Sequence, residues 1–524
     1  MTTLNLLLDR SAQEGGERTA LVLGDRSLTF TDVRHEVLSV AEGLRRAQVA
    51  RGDRVAIIHR NAPEFIVAYF ALARLGAIAV PINFMVSKPD ELAYMLNDCG
   101  AVGVVTQKEF AAGLALAAAK CPSLKTLWTT DADDGPGIVR AFASLRMTPP
   151  EEFPRDPIVE SDVAAILYTS GTTGFPKGVM LTHRNLVTNC ESSLLRMGLR
   201  RGSATLCILP MFHSFAWTAI VLTSLRLTMK CVISASIAPA KPWLKAMGLH
   251  GVTLFAAVPQ VYAALAREAR DWKTRLFLRL WAFRSVTTAV SGAAPLSVAV
   301  AMAFREGIGL GILEGWGLTE TSPVATVNPP GDIRIGTVGT AISGVRIKVV
   351  DDAENELPTG REGEICVTGD NVMKGYWNKP EETRATFTAD GWLKTGDIGV
   401  LDGDGYLSIR DRKKDMIIIK GLKVFSAQVE AVIAEHPAVE ECAIVGVPDE
   451  LGDETITAFV VLRKGADAGK AEILQFFRDR LDGYKRPRHL EILASLPKNA
   501  LQKVLKRELR ERELARRAGA AGKA

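Results

Sequence analysis

The chain is poor in cysteine, carries no charge excess outside one end, and has no linker rich in proline or serine. Seven cysteines are scattered through 524 residues without a C-x-x-C pair. That spacing speaks against a disulfide framework or a zinc site and fits a reducing, cytoplasmic setting. The opening stretch MTTLNLLLDRSAQEGG has neither a charged leader nor a full apolar core, so no signal peptide is expected. Net charge is only +5, and residues 503–524, with eight Lys or Arg against three Glu, account for all of it. A nucleic-acid-binding face is therefore not expected. The basic tail reads as a solvated helix end, with contact to acidic phospholipid or a phosphorylated ligand as the weaker alternative. No internal repeat is visible. What is abundant is apolar surface: 47% hydrophobic against 23% charged residues is a globular composition. Single cores stop growing at about 250–300 residues, so the chain should form more than one structural unit.

One uncharged run, SATLCILPMFHSFAWTAIVLTSL (203–225), is long enough to span a bilayer. Pro210, His213 and several hydroxyls argue instead for buried core lining an apolar pocket. The first half alternates β-branched runs with amphipathic stretches. RVAIIH (54–59), VGVVTQ and TLWTTD read as strands, and 62–80 as a helix ending at Gly76 before another strand. That alternation implies parallel sheets with helical crossovers, an α/β fold. From about Gly336, short strands separated by Gly/Asp turns predict an antiparallel or barrel-like section, and after DRKKD (411–415) a smaller α+β pattern follows. The domain boundary is placed at that charged turn, giving units 1–410 and 416–524.

YTSGTTGFPKG (168–178) looks like a phosphate loop but lacks the Gly-Lys-Ser/Thr ending of the common P-loop. It is expected between a strand, AAILYT (164–169), and a helix starting near LTHRNLV, where backbone amides favour an anion. Thr169, Ser170, Thr172 and Thr173 add hydroxyls, Gly171 and Gly174 allow close approach, and Lys177 adds charge. Composition alone leaves a surface turn equally open.

The longer string YTSGTTGFPKGVMLTHRN resembles the phosphate-loop signature of the adenylate-forming superfamily, which includes acyl-CoA synthetases, firefly luciferase and peptide-synthetase adenylation domains. Further segments resemble that family in its order: SGAAPLS (291–297), EGWGLTE (314–320), GEICVTGDNVMKGYWNKPEET, GWLKTGDIG, DRKKDMIIIKG and LPKNALQKVLKREL. The resemblance implies a large N-terminal domain of layered αβ subdomains with a distorted β-barrel, a hinge, and a small mobile C-terminal domain. It implies ATP, Mg²⁺ and CoA as partners in a two-step reaction. A carboxylic acid is adenylated with loss of pyrophosphate, then transferred to the CoA thiol. Contact with a membrane surface and a homodimer are additional expectations.

Residue by residue, the resemblance makes Lys177 a phosphate clamp and places Gly292, Ala293, Ala294, Glu314, Gly315, Gly317 and Thr319 around the nucleotide. Trp316 takes the position that stacks on adenine, where tyrosine is more usual, and Glu320 that of the Mg²⁺ carboxylate. Asp397 and Arg412 resemble the ribose contacts, and Lys414 the pivot. Gly421 and Leu422 belong to the hairpin near CoA. Lys503 resembles the lysine bridging carboxylate and α-phosphate; one such contact is worth about 10²–10³ in rate. Three features depart from the usual pattern: Gln502 replaces glycine before that lysine, Glu314 replaces a common glutamine, and KVFSAQVE replaces a Tyr-Pro form.

PMFHSFAW (210–217) most resembles the fatty-acyl branch, with His213 near the carboxylate and Trp217, Val258 and Pro259 in the acyl pocket. The expected acid is a medium- or long-chain fatty acid. Rival readings are an aryl-acid:CoA ligase, an acyl-AMP ligase loading a carrier protein, and a non-catalytic acyl- or nucleotide-binding homologue.

Overall fold

The computed structural model describes residues 3–86, 88–150, 158–169, 176–199, 201–419, 422–448, 454–499 and 503–521. The chain divides into two compact units, Met1–Ile347 with Val367–Leu393, and Lys348–Cys366 with Lys394–Ala524. The expected hinge at 411–415 lies inside the second unit.

Among the described residues the first unit holds a nine-stranded and an eight-stranded sheet. In the larger one, Ile312–Gly317, Thr288–Ser291, Leu254–Ala257, Ala204–Cys207, Lys230–Ile233 and Thr19–Leu23 run parallel and in that order. Antiparallel strands finish both edges. In the other, Val163–Thr169, Ile78–Pro81, Arg54–Ile58, Gly103–Thr106 and Thr126–Thr129 are parallel neighbours. Central strands such as Ile78–Pro81 and Leu254–Ala257 are buried throughout, which is why they read as continuous apolar runs. The helix Pro63–Leu75 is buried almost all round, starts on Pro63 and ends at Gly76 in the left-handed conformation (φ 69°). The uncharged run 203–225 folds as the strand Ala204–Cys207 and a helical segment from Ser214 to Arg226 with a π-helical middle, Trp217–Leu222. Among the described residues no helix is long and apolar enough to cross a membrane.

One expectation is corrected. The helix expected near LTHRNLV does begin there, at His183, but the loop after Thr169 does not lead directly into it. Lys177–Thr182 is a strand antiparallel to Val163–Thr169, with Thr169 opposite Lys177. The helix His183–Met197 begins only beyond it, at a Thr182/Asn185 capping box. Valine and leucine in GVMLT are buried against the sheet, and that burial extends the ladder before the cap takes over.

The second unit carries most of a four-stranded sheet, in which Leu393–Leu401 and Leu407–Arg412 pair antiparallel. Its three-stranded sheet has Val439–Pro448, Glu454–Leu462 and His489–Ile492. Alternation assigns its two faces. Ile444, Ile456, Ala458 and Val460 pack with Val429, Ile433, Ile473 and Phe477 of two helices. Ala443, Val445, Phe459 and Val461 pack with Leu496 and with Leu509 of the helix Lys506–Ala521. The large-and-small α/β architecture expected from the sequence is what the chain adopts.

Candidate active site

In the first unit the candidate residues gather at the carboxyl ends of four adjacent parallel strands. His213 follows Ala204–Cys207, Val258 and Pro259 follow Leu254–Ala257, Gly292 to Ala294 follow Thr288–Ser291, and Glu314 to Gly317 end the fourth. Open α/β sheets bind ligands at such ends.

Glu314 ties two of these segments together. It pairs with Ser291 in the ladder, and its Oε1 accepts the Leu296 amide at 3.0 Å. Burial pushes its carboxyl up to about 7, against the pull of that amide. Ala293 has φ 69°, a conformation that costs a residue with a Cβ about 1–2 kcal/mol. Phe215 lies over Gly292, 3.4 Å from where a Cβ would sit. A Cβ on Gly317 would stand 1.8 Å from the Pro323 carbonyl oxygen, so only glycine lets these strands meet. Trp316 is half-buried opposite Thr326, beside the resulting bulge. Thr319 and Glu320 occupy the short 3₁₀ turn that follows.

Glu320 and Lys177 are joined through a residue that the sequence reading did not single out. The Tyr376 hydroxyl donates to Glu320 Oε1 at 3.0 Å, and Lys177 Nζ lies 5.1 Å from the Tyr376 ring centre. Lys177 also forms an ion pair with Glu382, which holds that carboxyl below its usual range. Among the described residues no group of three His, Cys, Asp or Glu could hold a metal alone. Mg²⁺ usually takes one or two carboxylates plus substrate phosphates, a demand that Glu320 fits as an oxygen donor. Tyr376 stands within the quoted stretch GYWNKPEET, yet nothing local in it signals a contact 56 residues away. Thr169 ends its strand next to the loop, while Ser170, Gly171, Thr172, Thr173 and Gly174 lie outside the described residues.

His213 caps its own helix: Nδ1 accepts the Phe215 amide at 3.2 Å, which leaves Nε2 to carry the proton of a neutral ring. Trp217 is buried, stacked on Tyr69 with ring centres 3.9 Å apart and flanked by Phe65 and Phe70. Among the described residues its indole Nε1, the Tyr69 hydroxyl and the hydroxyls of Ser214 and Ser291 find no hydrogen-bond partner, although all are buried.

The second unit holds the remaining candidates. Asp397 and Arg412 face each other across the ladder, with Arg412 Nε 2.6 Å from Asp397 Oδ1. Lys414 is exposed in the turn closed by Asp415 and Met416 amides on the Arg412 carbonyl. Leu422 is exposed in the hairpin opposite Ile419, and Gly421 lies outside the described residues. Lys503 and Asn499 close a hairpin by reciprocal bonds, Lys503 N to Asn499 Oδ1 at 3.0 Å and Asn499 N to Lys503 O at 2.9 Å. Gln502 is not among the described residues. Lys503 is exposed as a residue, yet loss of water around its ammonium and repulsion from Arg412 and Lys414 bring it down to about 8. Asp397 and Asp415 pull the other way. Asp411, buried, accepts from the Ser426 hydroxyl at 2.8 Å and anchors the helix Ser426–Ala434.

The sequence profile of the AMP-binding enzyme family matches residues 8–377, and that of the AMP-binding enzyme C-terminal domain matches 428–503. The chain belongs to this family. It is 34% identical to a long-chain-fatty-acid–CoA ligase of Bacillus subtilis over 98% of this chain and 94% of that one. It is 35% identical to a feruloyl-CoA synthase of Amycolatopsis over 96% of this chain and 97% of the relative. Among solved structures, the anthranilate CoA ligase AuaEII in complex with anthranoyl-AMP superposes with a TM-score of 0.87 at 29% identity, covering 97% and 96% of the two chains. This ligase is thus an ATP-dependent, AMP-forming acid–thiol ligase of the acyl-CoA synthetase branch, with CoA as co-substrate.

Proposed function

We propose that the acid is a medium- or long-chain fatty acid. The observation that carries this reading is the buried, uncharged wall from Ala204 to Leu225, with Trp217 set in an aromatic cluster. Such a wall accepts an alkyl chain through apolar burial, about 0.8 kcal/mol per methylene. In the proposed sequence, a carboxylate oxygen attacks the α-phosphorus while the bond to pyrophosphate breaks. Lys503 offers its ammonium to both anions, Lys177 holds the outgoing phosphates, and Asp397 with Arg412 holds the ribose. Mg²⁺, held by Glu320, would offset phosphate charge. The CoA sulfur then attacks the acyl carbonyl and AMP leaves, after a pivot at Lys414 within a hinge of 411–415.

A second reading, an aryl acid, draws support from the unpartnered Trp217 Nε1, Ser214 and Ser291 groups. A buried polar group without a partner costs about 1–3 kcal/mol, which an alkyl chain does not relieve and a ring oxygen does. ATP–pyrophosphate exchange with octanoate, palmitate, 4-coumarate and ferulate decides between them. Exchange with octanoate or palmitate at kcat/KM at least about tenfold above the aryl acids is expected. The reverse order replaces the fatty-acid reading with the aryl one.

A further inference from the structure

The helical stretch from Trp272 to Ala282 turns its apolar residues the wrong way for a soluble surface. Leu278 and Ala282, four apart, face the core. The opposite arc is built from Trp272, Leu276 and Leu280, with Phe277 and Trp281 beside it, each also spaced by four. These five are exposed by 63%, 51%, 66%, 39% and 39% in that order. Trp281 packs across Gly248, and the neighbouring Leu249, 70% exposed, extends the patch.

The polar groups around this arc are almost all of one sign. Arg270, Lys273, Arg275, Arg279 and Arg284 surround it, and among the described residues none of them pairs with a carboxylate. Elsewhere arginines are commonly paired, as in Arg45 and Arg46 with Glu42. The one acid of the helix start, Asp271, is spent as an N-cap, accepting the Thr274 amide at 2.8 Å. A protein region that exposes Trp, Phe and Leu between unneutralised Lys and Arg has the chemistry of an interfacial helix. A second copy of the chain fits less well. A two-fold contact would bring this basic rim against itself, and interface centres are depleted of charge.

We propose that the arc Trp272–Trp281 docks this ligase on an anionic lipid surface. The leucines and tryptophans enter the headgroup boundary, and Lys273, Arg275 and Arg279 meet lipid phosphates. The inference depends on this surface alone and holds whichever acid is activated.

Co-sedimentation of the full chain with phosphatidylcholine vesicles, with and without phosphatidylglycerol, tests it. The wild type is expected to pellet with the anionic vesicles and to be released by salt. The triple variant Trp272→Ser, Leu276→Ser, Leu280→Ser should partition at least about tenfold less. Lys273→Gln with Arg279→Gln should lose about fivefold for each charge at low salt and little at high salt. An unchanged thermal midpoint keeps both variants interpretable as folded proteins. Wild type that stays in solution with both vesicle types overturns the proposal, as does a triple variant that partitions like wild type. A dimer seen by light scattering and lost in the triple variant would assign the face to a second copy and overturn it too.

Discussion

Glu314 shows how one side chain can couple the site to pH. Its carboxyl is buried, accepts a single amide from Leu296, and titrates near 7 instead of 4.5. Below the unfolded value both states are protonated and the group contributes nothing. Between 4.5 and about 7 the unfolded chain has lost this proton while the native carboxyl still holds it, so stability falls across that window and levels off above it. The full effect is about 3 kcal/mol. Glu314→Gln keeps an oxygen for the Leu296 amide and removes the ionisation. Its melting temperature should therefore stay level between about pH 4.5 and pH 7, where this group makes the wild type decline. Parallel melting curves for the two proteins would refute this account. Gly317 is a second point of constraint, since the Pro323 carbonyl occupies the space of any side chain. A glycine between a tryptophan and a leucine could be noticed in the sequence; the carbonyl that demands it could not.

At the scale of elements, the short strand Gly375–Tyr376 joins the sheet next to Lys177–Thr182 and thereby brings Tyr376 to Glu320 and Lys177. Tyr376→Phe retains the ring beneath Lys177 and deletes the hydroxyl that orients the Glu320 carboxylate. With a bond to a charged group worth about 1.5–3 kcal/mol, the KM for Mg²⁺-ATP should rise about tenfold or more while the melting temperature shifts little. An unchanged KM at varied Mg²⁺ would show that the hydroxyl does not position Glu320. This contact also marks where sequence reading stopped. The alternation of strands and helices was legible because parallel strands bury both faces and read as apolar runs, as at Ile78–Pro81. The strand Lys177–Thr182 was hidden because it opens on Lys-Gly and closes on a helix cap, so the cap signal at Thr182 masked it. Candidate positions on strand ends were legible through motifs, whereas links such as Tyr376–Glu320 arise from sheet pairing and leave no local pattern.

For the whole molecule, the informative fact is that the proposed machinery is divided. The acid candidates and the nucleotide candidates Lys177, Gly292 to Ala294 and Glu314 to Glu320 belong to the first unit, and the ribose candidates Asp397 and Arg412, with Lys414 and Lys503, to the second. If Lys503 acts only in the adenylation step, its removal must separate the two half-reactions. Lys503→Ala should lower ATP–pyrophosphate exchange by about 10²–10³, yet leave thioester formation from supplied acyl-AMP and CoA within about threefold, because no charge is being driven onto phosphorus in that step. The ammonium near 8 adds a sign to the test. Exchange in the wild type should fall as pH rises through about 8 and the cation is lost, while Lys503→Arg, whose guanidinium stays charged, should give a lower but level curve. Equal losses in both half-reactions would mean that Lys503 maintains the hairpin with Asn499 and takes no part in the chemistry. A wild-type exchange rate that is flat across that pH range would mean that the group carrying the adenylation charge is a different one.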